Sequence, residues 1–441
     1  MLKRRTRYFP WGIRAQYIMP LLIVITLLVL GCVNHDSSKP TPSPEPTAQD
    51  SSALKKQLDK IASKVAEIRG LSPKARVEYV FLTSDELQSE LMDMAEEELP
   101  AEETAIQQEI LSLLGLLEAD QDLRSLLLDL YAEQVIGFYD PAVKRLFVVS
   151  ETADLGPIEE VTFVHEYTHA LQDQHFDLEA FLPEHSANAD FDSAKMALAE
   201  GDATAVEAAY ILKTFNMADA IEFLTEAASM ETEKFDAAPR FLRETLMFPY
   251  EAGFEFTKTF GSHDELNSAY ADPPQSTEQI LHPERYRLRD APQTIDLSMV
   301  SRALGPDWTE YDRGVWGELN TRIYLEMHVN AIEAAEAGAG WDGDQYRYLK
   351  NTQGRKLFVL HSVWDDPKDG GEFLNACSIL IRAEDGGKGK VRMSGPTVQW
   401  WENKGVNFYV KWSSDRTLLI ITEDESAIAN VLSALPDFEG D

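Results

Sequence analysis

The sequence predicts an α+β protein: a mostly helical body carrying a small edge sheet, followed by a small C-terminal βαβββα unit. Three observations carry this reading. Helical spacing of apolar residues dominates residues 84–134 and roughly 190–345. Two short apolar runs flank Asp140-Pro141 directly before a helical segment. After Lys356 the chain alternates β-branched and aromatic runs with two helical stretches.

Residues 1–31 read as a lipoprotein signal peptide. Lys3, Arg4, Arg5, Arg7 and Arg14 form a positive leader, and the apolar run "YIMPLLIVITLLVLG" stops just before Cys32. The closing "VLGC" resembles a lipobox, which implies lipidation at Cys32 and an exported bacterial cell-membrane lipoprotein facing outward. Residues 32–53, rich in Pro, Ser and Thr, have almost nothing to bury and predict a disordered tether. The chain carries a formal charge of -35, and loss of the five leader cations leaves about -40. Nucleic acid is therefore not an expected partner, because phosphate binding needs concentrated Lys and Arg. With Cys32 lipidated, only Cys377 remains, so no intramolecular disulfide is expected.

A first domain is expected over residues 54–350. It opens with the helical "LKKQLDKIASKVAEIRGL" and the strand "RVEYVFLTS". Helices follow over 84–117, broken near Pro100, and over 120–134. "VIGFYDPAVKRLFVV" reads as a hairpin, and the helix "VTFVHEYTHALQDQHF" comes next. Residues 351–441 form the expected second domain, with "KLFVLHSVW", a helix across "GEFLNACSILIRA", the strands "TVQWW", "VNFYVKW" and "TLLIITED", and a last helix. "GWDGDQY", residues 340–346, is acidic but lacks the twelve-residue calcium loop with its closing Glu, so it reads as a turn. Trp400 and Trp401 should send one ring to each face of a strand.

The chemistry is concentrated in "HEYTH". His165 and His169 are four apart, so on a helix they lie about 40° from each other and can offer two imidazoles to one ion. Glu166 projects beside them, placed to take a proton from water activated there. Two residues compete as third protein ligand. His175 has the spacing of the metzincin pattern, but Gln172 stands where that pattern needs glycine to turn the chain. On a continuous helix His175 would sit about 280° round and about 15 Å along from His165. The rival is Glu200 in "MALAEGDATAVEAAY".

"HEYTH" followed by "EGDA" resembles the gluzincin group of zincin metallopeptidases, the thermolysin-like and peptidase-MA-like type, and also a set of uncharacterised bacterial lipoproteins. The resemblance implies a zincin-like catalytic domain in which an edge strand holds extended peptide beside the metal. It implies Zn2+ held by His165, His169 and Glu200, with Glu166 as general base and Asp202 accepting a hydrogen bond from a ligand histidine. It also implies an oxyanion donor from downstream sequence, for which His282 is the first candidate and Tyr286 and Tyr250 the others. The expected function is a membrane-tethered zinc metallopeptidase acting on peptide or protein. The alternative is a zinc-containing surface binding or assembly lipoprotein without turnover.

Overall fold

The computed structural model describes residues 48–132, 137–149, 155–182, 188–230, 232–383 and 389–438. The expected signal peptide, Cys32 and residues 32–47 of the expected tether lie outside them. The tether's last six residues are helical: α1 spans Ala48–Arg69, since nothing after Pro46 breaks a helix. No described helix is long and apolar enough to cross a membrane.

α1 buries Leu54, Leu58, Ile61, Val65 and Ile68, a stripe at helical spacing. β1 (Glu78–Leu82) follows, then α2 (Ser84–Glu98), α3 (Ala101–Leu113) and α4 (Leu123–Ala132), with Pro100 at the expected break. Thr83 and Glu86 close a reciprocal capping box at the start of α2. The expected hairpin is β2 (Gly137–Asp140) and β3 (Arg145–Val149). They pair antiparallel around a turn in which Asp140 Oδ1 accepts from Ala142 N, and β1 adds parallel to β3. The order is β1-β3-β2, so β2 is an edge.

α5 (Pro157–Phe176) starts with Pro at its first position and ends at Asp177, whose left-handed φ of 57° stops it. After α6 (Leu178–Phe181) comes α7 (Ala189–Thr214), the longest described helix. α1, α5 and α7 share one core in which the α1 stripe meets Phe163, Val164, Tyr167, Ala170, Leu171, Val206 and Tyr210. α8 (Met217–Ser229), α9 (Glu233–Ala237), α10 (Arg240–Thr257), α11 (His263–Ala271), α12 (Thr277–Leu281), α13 (Pro283–Leu288) and α14 (Ser298–Leu304) complete the helical part.

The C-terminal part is an antiparallel sheet of seven strands in the order β4-β5-β6-β10-β9-β8-β7. These are β4 (Trp308–Gly314), β5 (Trp341–Asn351), β6 (Lys356–Trp364), β7 (Lys390–Ser394), β8 (Val398–Asn403), β9 (Val406–Ser413) and β10 (Arg416–Thr422). α15 (Gly317–Leu325) and α16 (Ala331–Gly338) lie between β4 and β5; α17 (Pro367–Ala383) follows β6 and α18 (Glu425–Ala434) follows β10. Phe358, Leu360, Leu419 and Ile421 face α17, whereas Leu357, Val359, Leu418 and Ile420 face α14 and α18. Both faces are covered, which is why these strands read as unbroken apolar runs.

The mixed α+β class with a C-terminal α+β part follows the expectation; the C-terminal sheet is antiparallel, and β7 adds one strand to the expected βαβββα order. Two corrections concern residues 340–351. The expected boundary after residue 350 falls inside the sheet, because β5 pairs with β6 along its length and carries β4 with it. "GWDGDQY" is the start of β5, not a turn: Asp344 is buried there, accepting from Trp316 N, Gly317 N and Trp341 Nε1. Trp400 and Trp401 do divide between the two cores.

Candidate metal centre

The centre is built where α5 crosses α7. His165, Glu166 and His169 each offer a ligand atom within 4.8 Å of the others, and all three are buried. Opposite them on α7, Glu200 Oε2 lies 3.1 Å from His165 Nε2 and 3.3 Å from His169 Nε2. α5 runs unbroken through Gln172 to Phe176, which carries His175 away, and His175 Nε2 lies 2.8 Å from Ser72 O instead. Of the two candidate third ligands, only Glu200 meets both histidines.

The glycine after Glu200 has a packing cause. A Cβ on Gly201 would stand 2.1 Å from the Gly253 carbonyl carbon, and one on Gly253 would stand 2.0 Å from Ala197 O. α7 and α10 therefore cross backbone to backbone, with Thr257 Oγ1 donating to Gly201 O at 3.1 Å. This close crossing sets the height of Glu200 against α5. α10 also brings Tyr250, fully buried, beside His165 with ring centroids 6.1 Å apart.

The outer partners differ from the expectation. His165 Nδ1 lies 3.2 Å from Glu207 Oε2, and His169 Nδ1 lies 2.9 Å from Gln172 Oε1. Asp202 touches neither histidine: it accepts from Gln172 Nε2 at 3.0 Å and from Tyr270 OH at 2.8 Å, and pairs with Arg69 Nε at 2.6 Å. Its side chain lies beyond Gln172, which occupies the place next to His169. Glu207 was legible in principle, since it follows Glu200 by seven residues and so shares its helix face. β2 adds a contact no local pattern announces, the Tyr139 amide donating to Glu166 Oε2 at 2.7 Å.

His282 is not joined to this cluster by any hydrogen bond or ion pair. It sits between α12 and α13, with Nε2 3.0 Å from Glu318 Oε1 and 2.9 Å from Arg322 Nη2, because α15 packs against that break. Tyr286 donates to Asp272 O at 2.9 Å. Of the three oxyanion candidates, Tyr250 is the one brought beside a cluster histidine.

Charge makes the centre unusual. Burial pushes the Glu166 carboxyl up to about 7, offset in part by His169 and His165. Burial also opposes charge on His165 and His169, yet Glu200, joined at His165 by Glu207, holds both imidazoles above their ordinary range. Burial would raise Glu200, but the two histidines draw it well down. Three carboxylates share this interior with Glu166 Oε1, Glu200 Oε1 and Glu207 Oε1 lacking hydrogen-bond partners. Buried anions need a counter-charge or a proton. A divalent cation fits the donor set. Bonds of about 2.0–2.1 Å to a tetrahedral zinc place neighbouring ligand atoms about 3.3 Å apart, close to the separations above.

Comparison with known proteins bears on the other end of the chain. Residues 305–432 match a domain of unknown function, DUF8575. That stretch runs from just before β4 into α18, enclosing the whole seven-stranded sheet. No curated protein and no solved structure matches the chain.

Proposed function

We propose that this protein is a zinc-dependent metallopeptidase, held at the outer face of a bacterial membrane by a lipid on Cys32. One observation carries the catalytic part: two histidine Nε2 atoms converge on one glutamate oxygen, with Glu166 buried beside them and outside that convergence. His165, His169 and Glu200 would hold the ion. When bound, zinc would supply polarisation of a carbonyl and activation of water. Glu166 takes the proton released from water and returns it to the leaving amine. The Tyr139 amide orients Glu166 from β2, a buried edge strand of the small sheet. Glu207 and Gln172 accept from the Nδ1 positions and leave the Nε2 atoms free for the ion.

Burial favours a second reading. His165, Glu166 and Glu200 are at most 1% exposed and His169 only 5%, so a peptide reaches Glu166 only if the surrounding elements part. A surface binding or assembly protein with a structural zinc would need no such opening. It would also need no Glu166. Zinc stoichiometry measured alongside cleavage of an unbiased peptide library separates the two. Bound zinc with cleavage supports the peptidase, bound zinc without cleavage supports the binding protein, and absence of bound zinc rejects both.

A further inference from the structure

We propose that Arg69 and Asp202 are positioning residues that decide which nitrogen of His169 is free to bind a metal, which makes the N-terminal helix α1 part of the metal centre. The inference rests on the metal-site reading above and concerns how that site is set.

Gln172 links Asp202 to His169. Its amide nitrogen meets two oxygens, Ala199 O at 2.9 Å and Asp202 Oδ2 at 3.0 Å. A backbone carbonyl and a carboxylate can only accept, so both amide hydrogens are spent there. The carbonyl oxygen of Gln172 is thereby turned to His169 Nδ1, 2.9 Å away, and it too can only accept. Nδ1 must carry the hydrogen. In the neutral ring the lone pair then lies on Nε2, the atom 3.3 Å from Glu200. Flipping Gln172 would set its oxygen against both Ala199 O and Asp202 Oδ2, so the lock is strongest while a carboxylate stands at 202 beside that carbonyl.

Arg69 keeps that carboxylate in place. Its Nε lies 2.6 Å from Asp202 Oδ1, both side chains are 1% exposed, and Nη2 donates to Asn267 Oδ1 at 2.8 Å. Tyr270 OH fixes the other oxygen at 2.8 Å. The chain of contacts therefore runs from the last residue of α1 through α7 to α5, across positions 69, 202, 172 and 169. Loss of α1 would leave the buried Asp202 carboxylate without its Arg69 counter-charge.

Three variants of the otherwise intact protein test this: Asp202→Asn, Arg69→Gln and Gln172→Leu. The amide introduced by Asp202→Asn can turn its nitrogen to Gln172, which removes one of the two acceptors opposing the flip and leaves Ala199 O to oppose it alone. Zinc affinity, read by competition with a chromophoric chelator, should fall about 10–100-fold in each, while the metal-free variants keep the wild-type circular dichroism. A wild-type protein that binds zinc with variants of unchanged affinity overturns the inference and leaves the metal centre standing. A wild-type protein that takes up no zinc overturns both. Nitrogen-15 histidine NMR of the zinc-loaded wild type needs no variant to fold: a hydrogen on His169 Nδ1 with zinc on Nε2 supports the inference, and coordination through Nδ1 overturns it.

Discussion

Gly201→Ala adds one methyl group at the tightest point behind the metal centre. Its Cβ would lie 2.1 Å from the Gly253 carbonyl carbon, whereas carbon atoms rest about 3.5–4.0 Å apart. The atoms this Cβ meets, Gly253 C, O and Cα, all belong to helix backbone, so no side chain can turn aside, and α7 and α10 must separate by more than about 1 Å. Overpacking of this kind costs about 1–3 kcal/mol, and backbone against backbone belongs at the upper end. Glu200 is the adjacent residue, and its carboxylate would shift by a comparable amount. Metal ligands tolerate about 0.2 Å, so zinc affinity should fall by more than about tenfold. The assay pairs thermal melting of the metal-free protein with zinc content after dialysis against a weak chelator. Gly253→Ala, whose Cβ would stand 2.0 Å from Ala197 O, should lower the melting temperature similarly from the other side. A Gly201→Ala protein that melts with the wild type and keeps its zinc would refute the reasoning.

Three further outcomes are expected. His175→Ala should keep one zinc per chain, since His175 is held by Ser72 O and not by the cluster; a zinc-free variant would return His175 to the ligand set. Burial pushes the Asp190 carboxyl up to about 7, so the folded chain retains a proton that the unfolded chain releases near pH 4. That site opposes folding increasingly as pH rises from about 4 to about 7, and Asp190→Asn should gain stability relative to wild type over that interval. Melting curves at pH 5 and pH 8 check the sign, and a variant whose difference from wild type is the same at both contradicts it. Cys32→Ala should abolish incorporation of labelled lipid and block signal cleavage; unchanged labelling and mature size would dismiss the lipid anchor.

The parts of this molecule legible in the sequence are those set by local geometry. The four-residue spacing of His165 and His169 and the apolar runs of β6, β9 and β10 follow from helix or strand period, and the Asp140-Pro141 turn and the break at Pro100 from proline's missing donor and fixed φ. The acidic stretch at 340–346 misled because its glycines and aspartates carry turn chemistry. Its role is tertiary: Asp344 accepts from the first amides of α15, a helix that lies earlier in the chain. Gln172 misled differently. It stood out as the residue where a rival pattern has glycine, and its own function needs Asp202 beside it, thirty residues on. Arg69 and Asp202 pair across still more sequence, and no spacing rule connects them. The expected link from Asp202 to a histidine failed for the same reason, because only packing shows that Gln172 intervenes.

The central claim is that Glu166 acts on water at a metal held by its neighbours. The most direct test is to load wild type and Glu166→Gln with zinc, then compare metal content and cleavage of a peptide library side by side. The account predicts one zinc per chain in both proteins, with turnover lower by several orders of magnitude in the variant. Equal turnover by the two, or cleavage that persists after the zinc is stripped, would contradict it.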